Sequence, residues 1–581
     1  MSRKPPRRAA ARGAKPGPAG PQRAAAPVAP AAVGRRGVAA HAVRAAASAR
    51  RHPLIALLLL LGLYTLLSLL TFQPQPHDGG DNAGYVTLAR SLLERHAYLD
   101  LYDPAEPPHT KYPPVFPLLI AAVMAVGVKS WVGFKLIGVV LGAGAVAASF
   151  LWLRRRGHAA LGVAVAALLA ISPGVLSEAR WELSDVPFWC FTALAVWAFE
   201  RLRPDDRARF ALALIATLLA YFTRSAGLPL VLAAGGWLLW RRHWRQLLAF
   251  ALVIGPLALA WWWRARTTGG ADYVSEFWLF DPYQPQLGRA GPLDMVQRIL
   301  ENLQSYGALH LPVLLFGRAT LFPIVAALLL AGLAVYGWAT RLRRARVAEL
   351  FLPLYLGLIL VWPAIWSAER FLLPVLGLLL AYGGDGFVRT VRALRLSVAP
   401  AVLAALALAL VLNAPVLADH VRAGQECTGL YRAGNRYPCT HPASRELFLM
   451  AELAGETLPQ GSVVLSRKPR LFFVMSGGLK SRNYPMDPSV DALLATADSA
   501  GARYILFDRL GGLAQLYLAP AMLERPAAFC IVETTGPDGT VLFGILPDAA
   551  SLPSLPARER YVAFESCTPA LMDPAPLPAP R

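Results

Sequence analysis

The chain has 581 residues, of which 56% are hydrophobic and only 16% charged, against about 25% charged in an average soluble domain. The apolar residues form long blocks separated by short arginine clusters, and helices of about 20 residues match the hydrocarbon thickness of a bilayer. This excludes a row of water-soluble domains and points to a polytopic α-helical membrane protein; despite the net charge of +21, no nucleic-acid partner is expected.

Residues 1–52 hold twelve Lys/Arg and no acid, 53–417 hold 30 against 20, and 418–581 hold 15 against 16. The first segment is Ala, Pro, Gly and Arg with almost no large apolar side chains, so it reads as a disordered basic cytoplasmic tail that touches anionic membrane lipids. The apolar run 54–72 is too long for a secretory leader and no small-residue cleavage pattern follows it, so it reads as a retained first span.

Arginine-rich loops stay in the cytoplasm. The clusters are Arg154 to Arg156, Arg201 to Arg209, Arg241 to Arg245, Arg341 to Arg346 and Arg389 to Arg395. All five fall on one side only if the short run 113–128, which opens with Pro113-Pro114, does not cross. About eleven spans follow, near 54–72, 131–153, 159–175, 186–200, 210–223, 226–240, 246–264, 319–338, 348–366, 371–388 and 398–416. The expected domains are the tail 1–52, a membrane domain 53–417 with outer loops 73–130 and 265–318, and an extracytoplasmic α/β domain 418–581 with a Pro-rich tail. This orientation brings Asp81, Glu182, Asp185, Arg224, Glu369 and Arg370 together at the outer surface.

In 418–581, the runs 462–466 and 504–508 read as short strands, 443–456 and 489–500 as helices. The runs 529–534 and 541–546 flank Gly536-Pro537-Asp538-Gly539 as a hairpin. Four of the five cysteines lie here, an even number that suits disulfides outside the cytoplasm; Cys427–Cys439 and Cys530–Cys567 are the simplest of three pairings. The domain reads as a structural cap or an acceptor-binding unit, with the cap favoured.

The first outer loop carries His77-Asp78-Gly79-Gly80-Asp81-Asn82-Ala83-Gly84-Tyr85 and then a helical run. Asp81 lies near a helix N-terminus, where a carboxylate is also favoured as a simple cap. Further on come Lys111-Tyr112-Pro113-Pro114, then Glu182 to Pro187 as E-x-x-S-D-x-P, then Arg370-Phe371 to Pro374. In this order the motifs resemble the GT-C class of integral-membrane glycosyltransferases. The likeness is to glycosyltransferase family 39 and its relatives, the protein O-mannosyltransferases and the aminoarabinose transferase. It covers roughly residues 53–390. The family's first-loop acidic pair is here Asp81-Asn82, so the second position is an amide.

The resemblance implies a polyprenyl-phosphate sugar donor, an extracytoplasmic protein, lipid or glycan acceptor, and inversion at the anomeric carbon at a bacterial inner membrane. It implies Asp81 as base, with Asp78 as fallback, and Lys111 and Arg370 beside the donor phosphate. Tyr85 and Tyr112 match motif positions. Asp185 is a second catalytic candidate, and Glu182, at i and i+3 with it, is taken to position hydroxyls on one helical face. Arg224 and Arg180 are further cation candidates, with snorkelling to headgroups as the plainer role. Tyr273, Phe277, Trp278, Phe280 and Tyr283 stack on sugars or simply sit at the membrane interface. No His/Cys zinc spacing occurs; a divalent metal stays open as a cofactor, and metal-independent catalysis is favoured. A transporter or lipid flippase is the competing reading. It calls for midplane ionisable groups and internal repeats, whereas these acids fall on outer loops.

Overall fold

The computed structural model describes residues 52–268, 273–536, 539–560 and 564–567; the expected basic tail lies outside them except for His52. Each expected span is a helix: Pro53–Leu70, Trp131–Arg155, Ala159–Ile171, Asp185–Phe199, Arg207–Thr223, Leu228–Trp240, Trp244–Thr267, Leu321–Ala339, Val347–Val361, Leu373–Ala393 and Val398–Arg432. Among the described residues six helices are long and apolar enough to cross a bilayer, and the pair Ala159–Ile171 and Pro173–Ala179, bent by 64°, makes a seventh if it is one span. The other four have 13 to 17 residues; Asp185–Phe199 is mostly buried among its neighbours, whereas Leu228–Trp240 turns Leu228, Leu232, Leu239 and Trp240 outward. Val115–Ala125 has 11 residues, about 16 Å of helix against a core of about 30 Å, and does not span.

Close packing follows small residues. A Cβ on Gly337 or Gly386 would collide with the backbone of the facing helix, so Leu321–Ala339 and Leu373–Ala393 touch main chain to main chain, as small-residue stripes allow in membranes. The last helix runs 35 residues, to Arg432, well past the expected end at 416.

The arginine clusters gather at one end of the bundle. Arg156 pairs with Glu200 at 3.1 Å and with Glu349, and Arg346 also reaches Glu200. The Tyr382 hydroxyl donates to Glu349 at 2.7 Å and the Trp152 indole to Glu200 at 3.0 Å. Arg341 and Arg389 share Asp385, and the Gln246 amide donates to the Arg203 carbonyl at 2.9 Å. These bonds join all the arginine-rich turns, as one parity choice requires.

Beyond the bundle, five strands form one sheet in the order β2-β1-β3-β5-β4, with β1 Val463–Leu465, β2 Lys480–Arg482, β3 Tyr504–Phe507, β4 Phe529–Thr534 and β5 Val541–Ile545. β2, β1 and β3 run parallel; β5 and β4 complete the sheet as an antiparallel hairpin. The expected helices appear as Pro442–Thr457 and Val490–Ala500, the latter capped by Ser489. Disulfides join Cys427 to Cys439 and Cys530 to Cys567. The sequence patterns passed over β2 and the short helix Pro469–Met475. The loop 265–318 also contains more structure than expected. Its helix Pro292–Ser305 turns Leu293, Val296, Leu300 and Leu303 outward, the apolar face of an interfacial helix.

Replacing Arg156 by Met leaves the buried Glu349 without its cation and Glu200 with Arg346 alone. We expect a loss of about 3–5 kcal/mol of stability, read as a lowered Tm in nanodiscs.

Candidate functional site

At the opposite end of the bundle a cavity of about 950 Å³ opens between the helix ends and the C-terminal domain. Its first wall is built around Gly80, whose φ of +90° lies in the left-handed region that glycine enters without strain. That turn starts the helix Asp81–Glu94 with Asp81 as its first residue. The Asp81 carboxylate faces the cavity. Its Oδ1 accepts from the Tyr112 hydroxyl at 2.7 Å, and its Oδ2 lies 3.7 Å from Arg370 Nη2. The Tyr112 hydroxyl in turn accepts from Arg470 Nη1 at 2.5 Å. Burial alone would raise the Asp81 carboxyl; Arg370, the Tyr112 hydroxyl and Arg470 outweigh it and hold the group below the usual carboxylate range, so it is ionised at neutral pH. Burial lowers the nearby His77 imidazole against the pull of Asp78 and Asp81, which leaves it neutral.

The structure brings together most of the residues singled out in the sequence, but in two layers. Asp81, Tyr85, Lys111, Tyr112, Arg224 and Arg370 line the cavity. Asp185 lies behind them, 3% exposed, with Oδ1 2.6 Å from Arg224 and Oδ2 3.8 Å from Arg370. It pairs with both arginines and is not among the residues that line the cavity. Glu182 is deeper still: its side chain is fully buried, 3.2 Å from Lys135, and accepts from the His77 backbone N–H at 3.2 Å. The helix begins at Asp185, so Glu182 belongs to the preceding loop and the two acids do not share a helical face. Tyr85 shares a hydrogen bond with Ser184 at 2.9 Å, and its ring packs 4.9 Å from that of Tyr112. Asp78 accepts from Ser444 at 2.6 Å and is tied to the C-terminal domain. Arg180 packs against Trp181 and is not on the cavity wall.

Lys111 is paired with Glu276 at 2.6 Å and lies over the Tyr273 and Trp366 rings at 4.9 and 5.5 Å. Of the aromatic loop, Tyr273 and Tyr283 reach the cavity, whereas Trp278 and Phe280 are turned outward and Phe277 packs on Trp362. Sequence patterns alone missed Glu276 and the C-terminal contributors, Arg467, Lys468 and Arg470. Those three follow β1, where the residues show no periodicity of their own. A basic run after a strand was the only signal.

Among the described residues no three His, Cys, Asp or Glu side chains converge as metal ligands. Asp81 and Asp185 are bridged by the Arg370 guanidinium. The chain itself supplies the positive charge between these two carboxylates.

Comparisons with known proteins agree with this architecture. The family model described as dolichyl-phosphate-mannose-protein mannosyltransferase matches residues 111–263, a stretch that includes Lys111, Asp185 and Arg224. The oligosaccharyltransferase of Archaeoglobus fulgidus, solved with Zn and sulfate, superposes with a TM-score of 0.53 at 15% identity, covering 87% of this chain and 76% of that one. ArnT from Cupriavidus metallidurans bound to undecaprenyl phosphate superposes with a TM-score of 0.51 at 15% identity, covering 85% and 98%. No curated protein matches in sequence. The resemblance to GT-C class membrane glycosyltransferases is borne out, and so is the fold class: a polytopic helical bundle with a C-terminal α/β domain.

Lys135 and Glu182 anchor the loop that carries Asp81. Lys135→Met leaves a buried carboxylate unpaired and is expected to cost about 3–5 kcal/mol. Combining it with Glu182→Gln should restore part of the lost Tm, as a double-mutant cycle in nanodiscs would show.

Proposed function

We propose that the protein transfers a sugar from a polyprenyl-phosphate donor to an extracytoplasmic acceptor, with inversion. The observation that carries this is Asp81, an ionised carboxylate on a cavity wall, fixed between Arg370 at 3.7 Å and the Tyr112 hydroxyl at 2.7 Å. The acceptor hydroxyl attacks the anomeric carbon from the face opposite the phosphate. As the new C–O bond forms, the hydroxyl proton passes to Asp81. The bond between the anomeric carbon and the phosphate oxygen breaks, and the lipid phosphate leaves with the electron pair. A low carboxyl pKa suits a base that acts late, when the attacking oxygen has already become acidic.

The leaving phosphate gains negative charge in the transition state and needs fixed cations aimed at it. Lys111, Arg370 and Arg224 stand at the helix ends, where a lipid-borne phosphate arrives while its chain stays in the bilayer. Glu276 now occupies Lys111, so the donor phosphate takes the place of that carboxylate as the lysine's partner. Asp185 keeps Arg224 and Arg370 oriented. The two disulfides suit an oxidising compartment for the C-terminal domain. The arginine turns at the other end suit the cytoplasm. A bacterial inner membrane, with the site on its outer face, accommodates both. The relatives named above, one bound to undecaprenyl phosphate, support the choice of donor class.

The test is turnover of a panel of polyprenyl-phosphate sugars by the full chain in nanodiscs, with envelope extract as acceptor. Asp81→Asn is expected to lower turnover about 10²- to 10⁴-fold without lowering Tm. Equal turnover by the variant overturns the base assignment, and no sugar-linked product across the panel counts against the function. The acid limb of the pH–rate profile reports ionisation of Asp81 and lies below the usual carboxylate range. Tyr112→Phe removes a bond that favours the anion, so it moves that limb to higher pH.

A further inference from the structure

The cavity wall contributed by the C-terminal domain carries three cations, Arg467, Lys468 and Arg470, and none of them has a carboxylate partner within ion-pair distance among the described residues. Lys468 donates to the backbone carbonyls of Asp78 and Gly79 at 3.1 and 2.9 Å. Arg470 donates to the Tyr112 hydroxyl and lies over the Tyr102 and Tyr112 rings at 5.5 and 4.9 Å. Asp508, the carboxylate that feels both Arg467 and Lys468, is fully buried and accepts from the Leu510 backbone N–H at 2.8 Å. The cations on the helix-bundle side are different: Lys111 has Glu276, and Arg224 and Arg370 have Asp185.

The same domain provides an internal control. Two other basic residues, on β2, face the first outer loop, and both are matched: Lys480 with Glu106 at 2.6 Å and Arg482 with Asp103 at 2.8 Å. Where the domain only docks, its cations sit in direct ion pairs; where it faces the cavity, Asp78, Asp81 and Asp508 act on them without a direct ion pair among the described residues. Neighbouring cations that lack a direct ion pair repel one another, and an incoming anion relieves that repulsion through charge-assisted hydrogen bonds.

We propose that Arg467, Lys468 and Arg470 bind an anionic group, phosphate or carboxylate, carried by the sugar acceptor. This rests on the glycosyl-transfer reading of the cavity. Asp81 stands between two sets of cations: Arg370 on one side and Arg470, through Tyr112, on the other. The bundle-side set takes the donor phosphate because the donor's chain must stay in the bilayer. The domain-side set then meets the molecule whose hydroxyl Asp81 deprotonates. The acceptor is therefore one whose hydroxyl lies within a sugar's breadth of a negative charge, and the domain selects it.

The test uses the full chain in phosphatidylcholine nanodiscs saturated with undecaprenyl phosphate, titrated calorimetrically with inorganic phosphate at low ionic strength. The expected result is that inorganic phosphate still binds, that Arg467→Gln weakens it about tenfold, as loss of one charge-assisted bond implies, and that Arg467→Lys largely retains it. Arg467 makes no direct ion pair among the described residues, and a Tm measured for each variant separates loss of the site from any loss of stability through the weaker field at Asp508. If saturating undecaprenyl phosphate abolishes phosphate binding, the wall belongs to the donor and the proposal falls; it falls equally if Arg467→Gln binds as the wild type does. Sugar turnover is not read in this experiment, so failure of the glycosyl-transfer reading shows separately, in the donor panel.

Discussion

An ionised carboxylate on the wall of a half-open cavity is held by positive charge and hydrogen-bond donors placed close to it, and much of the architecture around Asp81 serves to supply them. Asp81 receives them from three separate parts of the chain: Arg370 from the start of the helix ending at Ala393, Tyr112 from the first outer loop, and Arg470 through Tyr112 from the C-terminal domain. Each supporter is itself fixed. Arg370 is shared with Asp185, Tyr112 is clamped by ring contacts with Tyr85 and His109, and Arg470 lies between two tyrosine rings. The loop bearing Asp81 is pinned from below by the Lys135–Glu182 pair through the His77 backbone. Loss of any one support leaves the others facing an imbalance of charge.

The C-terminal domain contributes side chains to the cavity wall. Its β2 edge runs alongside the first outer loop, where the Ser481 N–H donates to the Tyr102 carbonyl at 2.7 Å and two ion pairs flank that bond. Ser444 and Lys468 bind the Asp78–Gly79 segment. The first loop and this domain meet over a continuous set of polar contacts, and the cavity is the space left between them and the helix ends.

Much of this was legible in the sequence, for physical reasons that differ from part to part. The helices were legible because a bilayer imposes apolar runs of fixed length, and the arginine clusters could be assigned to one end because charge does not tolerate the hydrocarbon. The grouping of Asp81, Asp185, Arg224 and Arg370 followed from that parity. What could not be read was depth. Asp185 and Glu182 are adjacent in a motif, yet one supports arginines at the cavity edge and the other neutralises a lysine in the interior, because the helix starts between them. The contribution of Arg467 to Arg470 was hidden for another reason: contacts across more than 350 residues leave no local pattern, and a three-residue strand such as β2 has no periodicity to detect.

The account places the donor phosphate on the bundle side of Asp81, and a cryo-EM reconstruction of the full chain with undecaprenyl phosphate in nanodiscs tests that placement most directly. It predicts phosphate density against Lys111 and Arg370, the Lys111–Glu276 pair broken, the lipid chain leaving between the helix ends, and open space between phosphate and Asp81 for the sugar. Phosphate density lodged on Arg467 and Arg470, or a lipid bound outside the cavity with Lys111 still paired to Glu276, would contradict it.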